Sequence, residues 1–362
     1  MQILTLTLEN FRNFHHLEIE FQANLNAFQG RNAQGKTNLL EALILLNFGK
    51  SLWAAKENDL IQRGQKFFRV TAQALTARGT QLELSVSASA QPQLQKNWYL
   101  NGVRKTAHEF IGHLPLGQFR PADLNLILLG KAQRRHYLDL ILCQTCRNYL
   151  TNLVQYQHAL KNRNALLLQI AERQARLKEL VFWENKLAAT GSPILHARSN
   201  FLQQTAPDLN ATFQKISGQN IPLKLELSGA PLVSPAEFLA QLIQRHPQDL
   251  RFGHTSFGPH RQDLTFYLGA ENLVHLGSRG EIRSAVLALR LAELKYLAAI
   301  RHEKPLLLLD DVFSELDLSR QKSLRTLTEG YQTFWTTTKP AHLDLLPEPK
   351  KSWTVVNGKV TN

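Results

Sequence analysis

Cysteine is almost absent from this sequence, which has only Cys143 and Cys146 among its 362 residues. Two cysteines cannot build a disulfide framework, and their scarcity is typical of a protein from a reducing compartment. Their C-x-x-C spacing is compatible with redox or zinc chemistry, but there is no second cysteine pair to complete such a site. We interpret both residues as small side chains of a helix.

Long apolar runs are also missing. Runs such as Leu306 to Leu309 are strand-sized, whereas a membrane-spanning helix needs roughly 20 apolar residues. The first residues already alternate between apolar and polar side chains, as at 4–9, which is the pattern of a strand and not of a signal peptide. We therefore expect a cytoplasmic protein with no membrane partner.

Glycine and proline are scarce between residues 131 and 205, which contain only Gly191 and Pro193. Because these two residue types interrupt regular structure most strongly, their scarcity predicts helices in this region. Strand-like alternation occurs on both sides of it, as at 17–21 and 264–268. The predicted fold is α/β, with a head that includes an antiparallel β subdomain (residues 1–124 and 251–362) and an inserted, mainly helical lobe (125–250).

Basic residues outnumber acidic ones, and the formal net charge is +13. The excess is concentrated between residues 131 and 200, where eleven Lys and Arg residues accompany four Asp and Glu residues. Such a surplus favours a polyanionic partner such as DNA. A solvated helical face with local ion pairs is the alternative interpretation.

A glycine-rich motif follows the strand-like residues 25–29. Its residues Gly30-Arg31-Asn32-Ala33-Gln34-Gly35-Lys36-Thr37 fit the pattern G-x-x-x-x-G-K-[ST]. In this pattern backbone N–H groups surround a phosphate chain, the lysine contacts the β- and γ-phosphates, and the hydroxyl ligates Mg²⁺. Leucines at helical spacing after the motif place a helix N-terminus, which also attracts phosphate, at the same point. The motif predicts binding of ATP with Mg²⁺ by residues 30–37 and by the adjacent Asn38.

A pair of carboxylates follows a second predicted strand. The run Leu306–Leu309, bounded by Pro305, is typical of a buried central strand, and Asp310 and Asp311 come directly after it. Ligands of α/β sheets bind at this end of the strands. Asp310 is predicted to hold Mg²⁺ with Thr37, and Asp311 to polarise the attacking water, so that Asp311 and Lys36 are the candidate catalytic residues.

The two motifs are about 270 residues apart, farther than in compact P-loop enzymes. A helical insertion between them is the layout of ABC/SMC-type ATPase heads. Ser278-Arg279-Gly280-Glu281 opens a predicted helix in the position of the ABC signature, which binds the nucleotide of the other subunit. Ser314-Glu315-Leu316-Asp317 resembles the D-loop. The predicted head is therefore of the P-loop ABC/SMC type, with Ser278, Gly280 and Glu281 as nucleotide contacts.

These motifs resemble the bacterial RecF family over nearly the whole chain, least clearly at 205–250. The similar segments are Asn10–Asn13, Asn32–Ala42, Arg134-Arg135 with Leu138-Asp139, Gly258–Arg261 with Asp263-Leu264, and Asp310–Asp317. The resemblance implies ATP-dependent homodimerisation and binding to gapped DNA, to single-strand/double-strand junctions, and to double- and single-stranded DNA. It also implies work with RecO and RecR to load recombinase in DNA repair, replication restart and the SOS response. By the same resemblance Arg12 lies near the nucleotide phosphates, and the activity is a weak, DNA-stimulated ATPase that acts as a switch.

Other members of the ABC class are alternatives. A transporter motor would carry a fuller signature and a switch histidine, whereas this chain has Glu281 in place of the usual Gln, and Thr336 and Thr338 in the histidine region. An SMC-like head would need hundreds of heptad-patterned residues between the motifs, more than the insertion contains. A scaffold that binds nucleotide without turnover also stays open. The carboxylate of Glu281 is expected to disfavour a γ-phosphate beside it.

Overall fold

The structure is a computed structural model that describes residues 1–90, 93–327, 329–345 and 350–361. The chain divides into two compact units. The first contains Met1–Asn125, Thr212–Gln219 and Arg283–Asn362, and the second contains Leu126–Ala211 and Asn220–Ile282. Residues 251–282 therefore group with the second unit, although the sequence analysis assigned them to the head.

The first unit contains an antiparallel sheet with the strand order β2-β1-β4-β5-β6-β7. Apolar side chains such as Leu6 and Leu8 alternate with more accessible polar ones, so that one face is buried. Asn101 and Gly102 form the turn between its last two strands, as their hairpin pattern predicts. The strands are β1 (Gln2–Phe11), β2 (Phe14–Glu20), β4 (Phe67–Leu75), β5 (Gln81–Ser89), β6 (Gln95–Leu100) and β7 (Val103–Lys105).

The second sheet of this unit has the order β15-β14-β3-β13-β12-β8, and all neighbouring pairs except β14 with β15 are parallel. Its central strands β12 and β13 are buried, and Leu306–Leu309 of β12 form the continuous apolar run that is typical of a parallel sheet covered on both faces. The carboxyl ends of β3 and β12 lie on the same side of the sheet, here called its carboxyl edge, with β13 between them. The glycine-rich motif follows β3, and the acidic pair lies at the end of β12. The strands are β3 (Leu25–Gln29), β8 (Leu116–Phe119), β12 (Leu306–Asp310), β13 (Thr333–Thr337), β14 (Lys350–Val356) and β15 (Lys359–Thr361).

Helix α1 (Lys36–Phe48) contacts both sheets of the first unit, namely β4 and β5 of the antiparallel sheet and β12 and β13 of the parallel one. This position explains its composition, because its leucines face apolar neighbours all round and are almost fully buried. Burying a leucine contributes roughly 1.5–3 kcal/mol of transfer free energy. The first unit also contains α2 (Ala107–Phe110) and α10 (Leu318–Leu327).

The second unit is mainly helical and has a small antiparallel sheet with the order β11-β10-β9. Six residue pairs join β10 to β9, and β10 also contacts α3. These contacts explain why residues 251–282 belong with this unit. Its strands are β9 (Leu223–Ser228), β10 (Asp263–Leu268) and β11 (Glu271–Asn272). Its helices are α3 (Lys131–Thr145), α4 (Arg147–Ala171), α6 (Pro235–Gln244), α7 (His246–Phe252) and α8 (Leu273–Leu276), and α5 (Leu180–Ser217) and α9 (Arg279–Arg301) continue into the first unit.

The predicted α/β head with an antiparallel β subdomain and a helical insertion is confirmed by these elements. Cys143 lies within α3, and Cys146 is the single residue between α3 and α4, with no disulfide between the two. Across the part of the chain that the structure describes, none of the helices has the length and apolar character needed to cross a membrane.

Candidate nucleotide-binding site

The glycine-rich loop connects β3 to α1 and has a backbone that only glycine fits at two points. A Cβ atom on Gly30 would lie 2.4 Å from the carbonyl oxygen of Val355. Gly35 has φ +116°, and a Cβ atom there would lie 2.6 Å from Nδ2 of Asn13. Arg31, Asn32 and Ala33 are exposed on the loop between them. Glycine is therefore required at both positions, because the loop passes close to Val355 and Asn13.

Lys36 is the first residue of α1, and its side chain folds back over the loop. Its Nζ atom donates hydrogen bonds of 2.7 Å to the carbonyl oxygen of Gly30 and 2.8 Å to that of Arg31. Burial lowers the pKa of this ammonium group, while the negative charges of Asp311 and Asp310 oppose the shift. The loop thus holds a cation among backbone groups, where a phosphate oxygen can replace the carbonyl acceptors.

Thr37 and Asp310 meet although they are 273 residues apart. The Thr37 hydroxyl lies 3.1 and 3.2 Å from the two carboxylate oxygens of Asp310. Thr336, at the end of the neighbouring strand β13, donates a third hydrogen bond of 2.6 Å to Asp310 Oδ1. The structure therefore brings together the two predicted Mg²⁺ ligands and adds a buried hydroxyl that orients the carboxylate.

Asp311 adopts a left-handed backbone conformation, with φ +50°, immediately after β12. Its N–H bonds to the carbonyl and hydroxyl oxygens of Thr336, at 3.2 and 3.1 Å. Its Oδ1 atom is buried and has no hydrogen-bond partner. Burial raises the pKa of this carboxyl group, against the effects of a backbone hydrogen bond from Thr338 and of the Lys36 charge. An acceptor that is buried and unpaired is suited to hold a water molecule.

Residues outside the motif hold the glycine-rich loop in place through hydrogen bonds. Asn13 Nδ2 donates to the Gln34 carbonyl oxygen, and Asn13 Oδ1 accepts a hydrogen bond from Asn38, both at 2.8 Å. Backbone N–H groups of Asn357 and Gly358, in the β14–β15 turn, bond to Gln34 at 2.7 and 3.1 Å. The C-terminal contacts are not predictable from sequence spacing, because they depend on the pairing of β14 with β3.

Arg12 lies in the turn between β1 and β2 and is held by an acidic residue of α1. Its Nε and Nη2 atoms each donate a 2.7 Å hydrogen bond to the Glu41 carboxylate. Nη1 donates to the carbonyl oxygen of Asp59 at 3.0 Å. The hydrogen bond to Glu41 raises the pKa of the guanidinium group. Arg12 is therefore tied to the helix that starts at the glycine-rich loop, and an approach to phosphate stays a prediction.

The residues predicted as the signature belong to the second unit and form a helix start. Ser278 N–H bonds to Glu281 Oε2 at 2.9 Å, and Glu281 N–H bonds to the Ser278 hydroxyl at 3.3 Å. This reciprocal pair is a capping box at the N-terminus of α9, and Gly280 lies within its first turn. The carboxylate of Glu281 is thus directed back along the chain by its hydrogen bond.

Among the described basic side chains between residues 131 and 200, three are buried in ion pairs. Arg163 pairs with Glu184 and Asp249, Arg198 pairs with Asp139, and Arg134 pairs with Asp263, all with N–O distances of 2.7–2.9 Å. Arg135 donates to the carbonyl oxygen of Gln262 at 2.9 Å. Arg134 is therefore held in an ion pair with Asp263, which is 129 residues away in the sequence. The exposed basic residues include Lys131, Lys161, Arg173, Arg176, Lys178 and Lys186.

Mg²⁺ suits the donors at the edge of the parallel sheet. In the described residues, no group of three or more His, Cys, Asp or Glu side chains could hold a metal ion by itself. Thr37 and Asp310 nevertheless offer three oxygen atoms within hydrogen-bond distance of one another. Mg²⁺ commonly takes one or two protein ligands and completes its shell with water and substrate phosphates. The residues therefore fit an ion that arrives with a nucleotide.

Comparisons with known proteins show similarity over nearly the whole chain. A family model described as "RecF/RecN/SMC N terminal domain" matches residues 2–354. The chain is 35% identical over 367 residues to the DNA replication and repair protein RecF of Streptococcus suis. This alignment covers 100% of this chain and 99% of that protein. It is 34% identical over 366 residues to the protein of the same name from Streptococcus thermophilus, covering 99% and 98%.

Solved structures show the same relationship. The recombination mediator protein RecF with ATP, in the RecFOR pathway, superposes with a TM-score of 0.89 at 30% identity, covering 99% of this chain and 97% of that one. An SMC head bound to the C-terminal winged-helix domain of ScpA has a TM-score of 0.59 at 16% identity, over 100% and 97%, and shows a likeness of fold alone. Because the family model and the relatives above 30% identity both extend over nearly the whole chain, this chain belongs to the RecF family.

Proposed function

We propose that the chain is an ATP-driven DNA-binding protein of recombinational repair and replication restart. The observation that carries the proposal is the meeting of Lys36, Thr37, Asp310 and Asp311 at the carboxyl edge of the parallel sheet. Both the names of the relatives, which refer to DNA replication and repair, and the ATP-bound RecF structure support it. The head that contains this edge is formed by both ends of the chain. The inserted lobe binds DNA or a partner protein.

In this proposal the residues of the loop bind the triphosphate. Backbone N–H groups of residues 30–38 surround the phosphates, and Lys36 moves its ammonium group from the carbonyl oxygens of Gly30 and Arg31 to the β- and γ-phosphates. Mg²⁺, held by Thr37 and Asp310, supplies positive charge that stabilises the phosphate oxygens. Asp311 accepts a hydrogen bond from the attacking water and takes its proton during hydrolysis.

The switch is a homodimer that closes on ATP. The N-terminus of α9, with Ser278, Gly280 and Glu281, contacts the γ-phosphate bound by a second copy, because backbone N–H groups at a helix start attract anions. Hydrolysis removes that contact and reopens the dimer. Gapped and junction DNA is bound in the closed state and stimulates a slow turnover. RecO and RecR are the proposed partner proteins, and the RecFOR pathway named for the related structure supports this part of the proposal.

The proposal is tested by gel filtration with and without ATP, Mg²⁺ and gapped DNA. We expect a monomer without nucleotide, and a dimer that retains DNA when ATP is present. Lys36→Ala is the control, because it removes the ammonium group from the phosphate loop and should abolish both effects. Dimerisation and DNA binding that do not depend on ATP, or a Lys36→Ala variant that behaves as wild type, would contradict the proposal. ATP-dependent closure with no phosphate release would favour the scaffold alternative.

A further inference from the structure

Three large apolar side chains are exposed together at the start of the longest helix of the lobe. Phe182 is 60% exposed, Val181 is 56% exposed and Leu177 is 45% exposed. Leu177 lies in the short 3-10 helix Leu177–Glu179, and the other two lie in the first turn of α5. Single exposed apolar residues are common on folded proteins, whereas a contiguous group marks a surface that binds a partner.

The ring of Phe182 is held in place although it is exposed. It meets the ring of Trp183 edge-on, with 4.9 Å between the two centroids. Trp183 in turn lies 5.6 Å from the ring of His158 on α4. The next residue, Glu184, is buried and pairs with Arg163 of the same helix. Because this turn of α5 is fixed against α4, a ligand that stacks on Phe182 has little side-chain motion to restrict.

Phe182 belongs to a shallow groove along one side of α5. The residues that line this groove, here called the α5 groove, are Lys178, Glu179, Val181, Phe182, Asn185, Lys186 and Ala189. Lys178 precedes Phe182 by four residues and Lys186 follows it by four, so each is about one helical turn from the ring. Across the described residues, neither ammonium group has a hydrogen-bond or ion-pair partner. An exposed ring thus lies between two free positive charges.

The charges of the α5 groove favour a nucleic acid over a protein. Its acidic residue, Glu179, accepts a 2.8 Å hydrogen bond from the backbone N–H of Arg176. Arg173 and Arg176, in the turn before the groove, are both exposed and add positive charge. Lysine is depleted at protein–protein interfaces, whereas grooves that bind single-stranded nucleic acid combine cations with exposed aromatic rings. The cations neutralise phosphates, and the ring stacks on a base.

We propose that the α5 groove binds the unpaired strand of a DNA junction, with Phe182 stacked on a base and with Lys178 and Lys186 on the phosphates beside it. This inference rests on the proposed DNA-binding function and adds a way to distinguish a junction from a continuous duplex. Cations bind the phosphates of both forms of DNA. Stacking needs a base with a free face, which the interior of a duplex does not offer. Removal of the ring should therefore weaken binding only to DNA with unpaired bases.

The test measures fluorescence polarisation of three labelled DNAs in the presence of ATP and Mg²⁺: an oligothymidine strand, a blunt duplex, and a duplex with an oligothymidine overhang. We expect Phe182→Ala to weaken binding of the single strand about fivefold to a hundredfold. Binding of the overhang DNA should also weaken, whereas binding of the blunt duplex should change less than about twofold. Phe182→Trp keeps an aromatic ring and should bind as wild type. Phe67→Ala, which removes an exposed ring from the first unit, is the matched control.

The dependence on salt separates stacking from charge. Phe182→Ala removes no charge, so it should lower single-strand affinity by the same factor at every salt concentration. Lys186→Gln removes one phosphate contact and should reduce the slope of log affinity against log salt by about 0.7 on single-stranded DNA. A slope equal to that of wild type would show that Lys186 does not contact the strand.

Several results would overturn the inference. Single-strand binding by Phe182→Ala at the wild-type affinity would show that the ring does not contact DNA. Equal losses on the single strand and the blunt duplex, or equal losses in Phe182→Ala and Phe182→Trp, would exclude stacking on an unpaired base. Normal DNA binding by Phe182→Ala with loss of RecR or RecO binding would make the groove a protein-docking surface instead. Wild-type protein that binds none of the three DNAs with ATP would overturn the proposed function itself, so the two failures are distinguishable.

Discussion

The buried hydroxyl of Thr336 donates a 2.6 Å hydrogen bond to Oδ1 of Asp310. The same hydroxyl accepts a hydrogen bond from the N–H of Asp311, so one side chain fixes both carboxylate residues. We expect Thr336→Val, which keeps the shape of the side chain, to weaken Mg²⁺-dependent ATP binding about tenfold, because partners that orient metal ligands contribute on that scale. Titration of ATP binding with Mg²⁺ measures the effect. Thr336→Ser retains the hydroxyl and should bind almost as wild type; equal losses in the two variants would exclude this role.

Asp311 is the position at which binding and hydrolysis should separate. Asparagine tolerates the left-handed backbone that Asp311 adopts, so Asp311→Asn should fold without added strain. The amide loses the charge that polarises water, whereas Asp310 and Thr37 are unchanged. We therefore expect turnover to fall by about a hundredfold or more while ATP and Mg²⁺ still bind. Light scattering should show a long-lived dimer with ATP, and rapid dissociation together with unchanged turnover would refute the assignment.

The charge of Glu281 is the feature of the helix start that should oppose a phosphate. In Glu281→Gln the side-chain carbonyl can still accept the N–H of Ser278, so the cap of α9 is retained while the charge is removed. We expect ATP-driven dimerisation to become severalfold tighter, because a negative charge near the γ-phosphate is unfavourable. Sedimentation in an Asp311→Asn background measures the dimer without hydrolysis. Glu271→Gln, an exposed change in β11, is the control, and an unchanged dimer in Glu281→Gln would contradict the expectation.

The parts of the site that the sequence predicts are local. The glycine-rich loop is recognisable because Gly30 and Gly35 satisfy backbone requirements within a few residues of Lys36. The acidic pair is recognisable because an apolar strand comes directly before it. Thr336 reaches the site only through the pairing of β13 with β12, and no spacing in the sequence specifies that register.

The grouping of residues 251–282 was missed for a related reason. It depends on the pairing of β9 with β10, and no strand was predicted at residues 223–228. A signal was present, because Leu223, Leu225 and Leu227 alternate with Lys and Glu. The prolines and glycines that surround this short run obscured it. The basic surplus likewise includes Arg134, Arg163 and Arg198, which are buried in ion pairs. Composition cannot show that a basic side chain is buried beside a carboxylate from a distant segment.

His260 should make the stability of the second unit depend on pH. Its Nδ1 atom lies 2.6 Å from the Tyr156 hydroxyl, and Nε2 lies 3.0 Å from the carbonyl oxygen of Thr255. Burial lowers the pKa of His260 to about 4, although the hydrogen bond to Thr255 favours the protonated form. The unfolded chain therefore takes up a proton first as the pH falls. The stabilisation is complete above about pH 6.5 and is lost between pH 6.5 and about 4, by up to roughly 3 kcal/mol.

Urea unfolding of wild type and His260→Gln at pH 7.5, 6.5 and 5.5 isolates this contribution, because all other titrating groups are common to both proteins. The variant has no imidazole at this position and should be less stable at pH 7.5, with the difference shrinking as the pH falls. A difference that is constant across the three pH values would mean that the proton affinity of His260 is the same in the folded and unfolded chains.

Three exposed basic residues of the lobe are candidates for contact with DNA. Arg173, Arg176 and Lys178 lie near the junction of α4 and α5, and none of them forms an ion pair with a described residue. The local ion pairs of the alternative interpretation are therefore not formed by these three side chains, although the backbone N–H of Arg176 bonds to Glu179. Unpaired cations on a surface are available to displace counterions from DNA.

We expect the combined change Arg173→Asn, Arg176→Gln and Lys178→Gln to weaken DNA binding and to flatten its salt dependence, without affecting ATP binding. Asparagine suits the left-handed backbone of residue 173, where φ is +63°. Each phosphate contact that is lost should reduce the slope of log affinity against log salt by about 0.9 on duplex DNA. The matched control neutralises three exposed or partly exposed cations of the first unit, Arg63, Arg104 and Lys105. If the control flattens the slope and the lobe variant does not, DNA binds the first unit, and the lobe is left as a surface for a partner protein.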